Sequence, residues 1–325
     1  MKAATVAAAA LPQVGRTLAA DEGTPAAGLP RRILGKTKEP VTILGLGCAY
    51  IGRDATRRNC KASEAYTRAI IEAALAGGIR YFDTAPNYFL GEERLGPALA
   101  PVRDKVFLTT KLDHADAKTA EQDLANSLKL LKTDHVDLLL LHGLGLDTFR
   151  DLEAVQGKEG VLAFLHQARE KGLTRFIGFS SHPQWMSSQR AFAATAGIDV
   201  IQPWLNYVTR AESHVEEIMV EFVQQRGIGV VAMKVLGGEG QLADDYDRAF
   251  RYALSVPGVG CALVGANTVA QVKRAVQAAR EFRPLTEEEM KETIALGRKL
   301  YESKSRKAAL LRQHYHGDWG NTRYC

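Results

Sequence analysis

A chain of 325 residues, 46% hydrophobic and 24% charged, can bury a large core and is sized for one big α/β barrel or two ordinary domains. The net charge of +5 is modest, and Lys and Arg are interspersed with acids, which favours a small anionic ligand and argues against a nucleic-acid surface. Cys48, Cys60, Cys261 and Cys325 are too widely spaced for a CxxC pair or a zinc site, so no metal is expected, and Cys48 and Cys261 read as small core residues.

Residues 1–30 are rich in Ala, Gly and Pro and are expected to be disordered or signal-like. Lys2 precedes an apolar run, 3–11, and Thr17-Leu18-Ala19 offers the small residues of a cleavage site. A single positive charge is a weak start for export, and no apolar stretch approaches the ~20 residues of a membrane span. A cytoplasmic location is therefore the expectation, with export of a truncated signal as the alternative.

Residues 31–34 and 41–44 flank the turn-forming Gly35-Lys36-Thr37-Lys38-Glu39-Pro40 and predict a hairpin. From residue 40 onward, short β-branched and Leu-rich runs alternate with stretches of helical spacing, as βα units do. Strands are predicted at 42–47, 80–83, 106–111, 136–142, 175–180, 200–206, 229–234 and 261–264. Helices are predicted at 63–77, 92–99, 118–131, 159–171, 184–195, 212–226, 244–255 and 268–280. Eight such units predict a (β/α)8 TIM barrel, its bottom capped by the hairpin. A doubly wound open sheet is disfavoured because Gly45-Leu46-Gly47 lacks a correctly placed third glycine. Thr286, followed by three Glu residues, starts a C-terminal helix running to about 301, so the barrel domain spans 31–302 and a polar tail covers 303–325.

Four polar residues stand at or just past strand ends: Asp83, Tyr88, Lys111 and His142. In a barrel these ends converge on the C-terminal face, where active sites lie. An ammonium favours phenolate and a carboxylate keeps that ammonium charged, so Asp83 and Lys111 are expected to lower the pKa of Tyr88. The imidazole of His142 suits a carbonyl oxygen, and Tyr88 suits proton transfer to or from it. Singly, each residue has a plainer explanation as a cap, an exposed amine or a satisfied core histidine. Together they describe a site that moves a proton and needs a hydride donor such as a nicotinamide to reduce a carbonyl.

At these residues the chain resembles the aldo-keto reductase family. Asp83-Thr84-Ala85-Pro86-Asn87-Tyr88, with Glu92 and Leu95-Gly96 trailing, is similar to the family's Asp-Thr-Ala-x-x-Tyr segment, and Lys111 and His142 follow in their places. The resemblance covers about residues 31–285 and implies a catalytic tetrad with Tyr88 as general acid. It also implies nicotinamide contacts from Ser180, Ser181 and Gln202, with Met233 in the place of the usual stacking aromatic ring. Lys234, Leu236 and Gly238 would form the loop near the pyrophosphate. Gly265 and Gln271 stand where many members carry the basic residues that hold the 2′-phosphate of NADPH, so that clamp is missing. NADP(H) is expected from the family's habit, with NAD(H) as the alternative and a small aldehyde or ketone as substrate.

The expected activity is NAD(P)H-dependent carbonyl reduction; a cofactor-binding redox sensor with a reductase-like barrel is the alternative, and a lyase or isomerase using the same phenol and ammonium is a third. Loops 143–158 and 236–243 and the tail would select the substrate, with Tyr50, Phe89 and Trp204 as candidate pocket walls. Phe89 stands where the family often has glycine. His314 and His316, near Trp319 and Tyr324, read as a solvated tail and not as metal ligands.

Overall fold

The computed structural model describes residues 28–53, 61–144, 149, 151–181, 192–194, 196–212 and 222–315. Strands β1 (Arg31–Ile33) and β2 (Pro40–Thr42) form the expected antiparallel hairpin, Arg31 opposite Thr42 and Ile33 opposite Pro40. The remaining strands are β3 (Leu44–Gly47), β4 (Tyr81–Asp83), β5 (Phe107–Leu112), β6 (Val136–Leu144), β7 (Thr174–Ser181), β8 (Val200–Pro203), β9 (Gly229–Ala232) and β10 (Val259–Gly265). They close into one barrel in which every neighbouring pair is parallel and β10 returns to β3. Helices α1 (Glu64–Ala76), α2 (Gly91–Leu99), α3 (Ala117–Leu131), α4 (Leu152–Gln156) and α5 (Val161–Glu170) wrap the first half. Helices Tyr246–Ser255, Val269–Arg280 and Glu287–Glu302 follow.

Alternation along the strands builds two cores, because successive side chains point to opposite faces. Tyr81, Phe107, Leu138, Leu140 and Val231 belong to the cluster that fills the lumen. Phe82, Leu108, Leu139, Leu141 and Val230 belong to the one shared with the helices. The hairpin plugs the lumen from below: Leu34 and Val41 join the lumen cluster, and Leu34 fills the space beside Gly229 and Gly260. Gly35 permits this approach. A Cβ there would lie 2.4 Å from the Gly229 nitrogen, and its φ of +52° favours glycine.

The Leu95-Gly96 pair has a packing explanation of the same kind. Leu95 is fully buried, and a Cβ on Gly96 would meet the Leu130 carbonyl at 2.1 Å, so this glycine lets α2 lie directly on the end of α3. Cys48 and Cys261 are buried free thiols, as their apolar surroundings implied.

The predicted strand 42–47 is divided, because the chain changes partners within it. Thr42 still pairs with Arg31, whereas the Ile43 nitrogen donates to Pro30 and the Ile43 carbonyl accepts from Ala262 in β10. The runs predicted to continue to 206 and 234 stop at Pro203 and Ala232, beyond which Trp204 and Met233 are joined by an isolated bridge. Helix α4 was not anticipated. Helix Arg306–Tyr315 occupies part of the expected tail, with Ala308 and Leu311 buried. The predicted helices 184–195 and 212–226 lie largely outside the described residues, as do the signal-like segment 1–27 and His316, Trp319 and Tyr324. No helix among the described residues is long and apolar enough to cross a membrane.

Candidate active site

Strand register brings the polar residues together. Asp83 lies opposite Thr109, two residues before Lys111, and Lys111 lies opposite Leu140, two residues before His142. An offset of two preserves the face, so all three side chains project into the lumen one layer above its apolar filling. The Tyr81 hydroxyl and Thr109 make the transition, with Thr109 Oγ1 donating to Tyr81 at 3.0 Å.

Lys111 is enclosed. Its Nζ donates to both Asp83 oxygens at 2.9 Å and to the Thr84 carbonyl at 2.7 Å. Burial opposes the ammonium, but Asp83 and Tyr88 outweigh it and hold the Lys111 pKa above its ordinary value. Behind it, Thr110 donates to the buried Glu92 at 2.6 Å, which gives Glu92 a structural task; burial raises the Glu92 pKa.

Tyr88 sits on the loop between β4 and α2, its ring centroid 4.6 Å from Lys111 Nζ and in edge contact with His142 at 5.4 Å. Phe89 follows it with φ of +26°, the left-handed region in which a glycine is unstrained, which explains why glycine suits this position. Burial pushes the Tyr88 phenol up to about 12, and Lys111 pulls it only part of the way back. The expectation of a lowered value is thereby corrected: desolvation of the phenolate outweighs the neighbouring ammonium.

His142 is held through Nδ1, which lies 2.6 Å from Asp113 Oδ1, and the same oxygen accepts the Asn87 amide at 3.2 Å. Sequence reasoning missed both partners. The available signal was that Asp113 follows Lys111 by two residues and so inherits its face. Burial lowers the His142 pKa while Asp113 acts in the opposite direction.

The expected cofactor residues differ in how far the protein itself already engages them. Ser181 Oγ and Gln202 Oε1, at the ends of β7 and β8, are buried without a hydrogen-bond partner among the described residues, and such atoms suit an incoming amide. Ser180 is taken by the protein itself, accepting from the Gly143 nitrogen at 3.0 Å and donating to the Leu141 carbonyl at 3.4 Å. Met233 packs against the lumen cluster, so a thioether occupies this part of the wall.

Lys234 has φ of +54° and its Nζ lies 4.9 Å from the Trp204 ring centroid; burial, aided by Lys111, lowers its pKa to about 7. Leu236 packs on the outer core, and Gly238 lies in the following loop. Gly265 ends β10 opposite Gly47 and is exposed. Gln271 closes a capping box with Thr268 and accepts from the Asn267 nitrogen at 2.7 Å, so its side chain organises the helix start. Arg274 is engaged with the Ala243 carbonyl and the Tyr246 ring.

Comparison with known proteins bears on the family and the fold. Methylglyoxal reductase DkgA of Yersinia pestis is 31% identical over 199 residues, covering 58% of this chain and 68% of that protein. NADPH-dependent codeinone reductase 1-4 of Papaver somniferum is 29% identical over 214 residues, 60% of this chain and 64% of that one. The holo form of aldo-keto reductase AKR11C1 from Bacillus halodurans superposes with a TM-score of 0.68 at 25% identity, covering 88% of this chain and 99% of that one. The model of the Aldo/keto reductase family matches residues 44–249, and with the closed parallel barrel it establishes that this chain belongs to that family.

Proposed function

We propose that the protein reduces a small aldehyde or ketone to the alcohol with a nicotinamide cofactor, Tyr88 delivering the proton. The observation that carries this reading is the convergence of a protonated phenol, a carboxylate-paired ammonium and an imidazole at one end of the barrel. Ser181 and Gln202 would hold the carboxamide, Met233 would lie beside the ring, and Lys234 with the loop through Leu236 and Gly238 would meet the pyrophosphate. When bound, the reduced nicotinamide supplies the hydride.

The chain's own residues control the oxygen. The Tyr88 O–H donates to the carbonyl oxygen as negative charge grows there, and the Lys111 ammonium stabilises the phenolate that remains. Asp83 keeps Lys111 charged and fixed, and His142 faces the same oxygen as a second polar group. NADPH is favoured over NADH by the family's habit, although Gly265 and the already engaged Gln271 bring no cation to a 2′-phosphate.

Cofactor absorbance followed with methylglyoxal and an aromatic aldehyde tests the reading. Tyr88→Phe should bind cofactor as the parent does and lose about 10²–10⁴-fold in turnover. Full turnover in that variant removes Tyr88 from its role. Tight cofactor binding with no turnover across a broad carbonyl panel would instead favour the redox sensor.

A further inference from the structure

The barrel carries another cleft at the end opposite the tetrad, where the hairpin meets the starts of β4, β5, β6 and β7. Its volume is about 610 Å³, within the roughly 300–1,000 Å³ usual for small-molecule sites. The charged lining is unbalanced: Arg31, Arg80, Arg103, Lys105 and Arg175 outnumber Glu39, Asp104 and Asp137. His135 is turned to Asp134, with Nδ1 2.6 Å from Oδ1.

Two of the carboxylates are neutralised by the protein itself. Asp137 is buried; its Oδ2 accepts from the Leu108 nitrogen at 2.8 Å and from Arg103 at 2.9 Å, and its Oδ1 accepts from Arg175 at 2.8 Å. Arg175 also donates to Glu39 on the hairpin. Arg103 is fully used, since it reaches Thr133 Oγ1 and the Val106 and His135 carbonyls as well as Asp137. The charges of Arg103, Asp137, Arg175 and Glu39 therefore cancel within one network.

Arg31, Arg80 and Lys105 are left facing the exposed Asp104, and none of the three cations makes an ion pair among the described residues. Arg80 is held in place. Its Nη1 donates to the Leu75 and Ile79 carbonyls at 2.7 and 2.8 Å, which fixes the guanidinium and leaves Nε and Nη2 for another acceptor. The Arg80 backbone nitrogen donates to Thr42 Oγ1 at 3.2 Å, and Thr42 lies opposite Arg31 in the hairpin, so the hairpin and barrel cations share one wall. A cleft walled by one sign of charge concentrates counter-ions, and a fixed guanidinium beside an ammonium matches phosphate oxygens.

We propose that this cleft is a second binding site and takes a small phosphate-bearing polyanion. Arg80 is its fixed anchor, while Arg31 reaches the ligand from the hairpin and Lys105 from the segment before β5. A diphosphate carries enough negative charge to neutralise all three cations, which a single carboxylate does not. The site is separate from the tetrad and does not depend on the reductase reading.

Calorimetric titration of the whole protein with inorganic pyrophosphate and with ADP, read together with hydrogen exchange, tests the proposal. At least pyrophosphate should saturate, bind more weakly as salt is raised, and protect 31–42 and 103–108 from exchange. Tighter binding of ADP identifies a nucleotide as the source of the phosphates; equal or weaker binding identifies the inorganic ion. Arg80→Gln should weaken pyrophosphate about tenfold or more, the range of one hydrogen bond to a charged group. Because Arg80 also supports two carbonyls, the exposed pair Arg31→Gln with Lys105→Gln provides a check free of that burden: it should weaken binding to a similar degree and leave thermal unfolding of the unliganded protein as in the parent. Absence of saturable binding by either anion overturns the proposal, as does affinity unchanged in the double variant. Protection confined to 234–241 overturns it too, because the anion would then sit in the loop assigned to the cofactor.

Discussion

Asp83 receives the Lys111 ammonium on both carboxylate oxygens, each 2.9 Å from Nζ, and the two side chains are only 4% and 0% exposed. Such a pair is costly to break from one side because the remaining charge stays buried. Asp83→Asn should therefore lose about 3–5 kcal/mol of stability in denaturant unfolding and most of its turnover. Replacing both, as Asp83→Leu with Lys111→Met, should recover much of the stability and none of the activity. If the double variant is no more stable than the single one, the pair's importance lies elsewhere than in mutual charge compensation.

The same pair sets a pH limit. The folded pKa of Lys111 is raised, so its contribution is fully present below the unfolded value of about 10.4 and is lost as pH climbs through the higher folded value. Alkaline unfolding should be shallower in Lys111→Met than in the parent over that window.

Burial pushes the Tyr88 phenol up to about 12, so its proton should remain available throughout the neutral and mildly alkaline range. Reduction should not fall with rising pH on its account until that value is approached. A stopped-flow pH jump that reads phenolate absorbance before unfolding, compared with Tyr88→Phe, should reveal one phenol titrating about two units above the ordinary tyrosine value of ~10. Lys111→Met should move that midpoint higher still. A phenol ionising below the ordinary value would restore the lowering first expected from the neighbouring charge.

That reversal shows where sequence reasoning was strong and where it stopped. Strand ends and their parity are local, so Asp83, Lys111 and His142 were legible as a converging set, and eight alternating units implied the barrel that holds them. Burial is not local: the charge beside Tyr88 could be read from the chain, but not the desolvation that outweighs it. Hydrogen-bond allocation is equally hidden. Ser180 and Ser181 are neighbours of one type, yet Ser180 is spent on the Gly143 and Leu141 backbone while Ser181 Oγ is buried and has no partner among the described residues. Asp113 was not singled out at all, because its partner His142 comes beside it only from the next strand.

Gly96 tests whether a family motif reflects packing or chemistry. With the Leu130 carbonyl 2.1 Å from a hypothetical Cβ, Gly96→Ala must push α2 away from α3. Overpacking of this kind costs about 1–3 kcal/mol, and here the obstacle is backbone that cannot rotate aside. Thermal unfolding should fall accordingly, while cofactor affinity in the surviving folded fraction stays near that of the parent. Lost affinity with unchanged stability would assign the glycine to the site.

The helix Arg306–Tyr315 roofs the loop expected to meet the pyrophosphate. Leu311 is fully buried and reaches within 3.0 Å of a Cβ placed on Gly237, while Lys307 holds Asp244 at 2.7 and 2.9 Å. Gly237 itself has φ of +84° and donates its nitrogen to the Lys234 carbonyl at 2.9 Å, so pressure on this glycine is transmitted to the turn carrying Lys234. Leu311→Ala removes the contact without touching any strand of the barrel. It should raise hydrogen exchange across 236–242 and 306–315 and weaken NADPH binding several-fold, with the barrel strands exchanging as before. Faster exchange in this helix alone, with loop and cofactor affinity unchanged, would mean that the helix covers the loop without organising it.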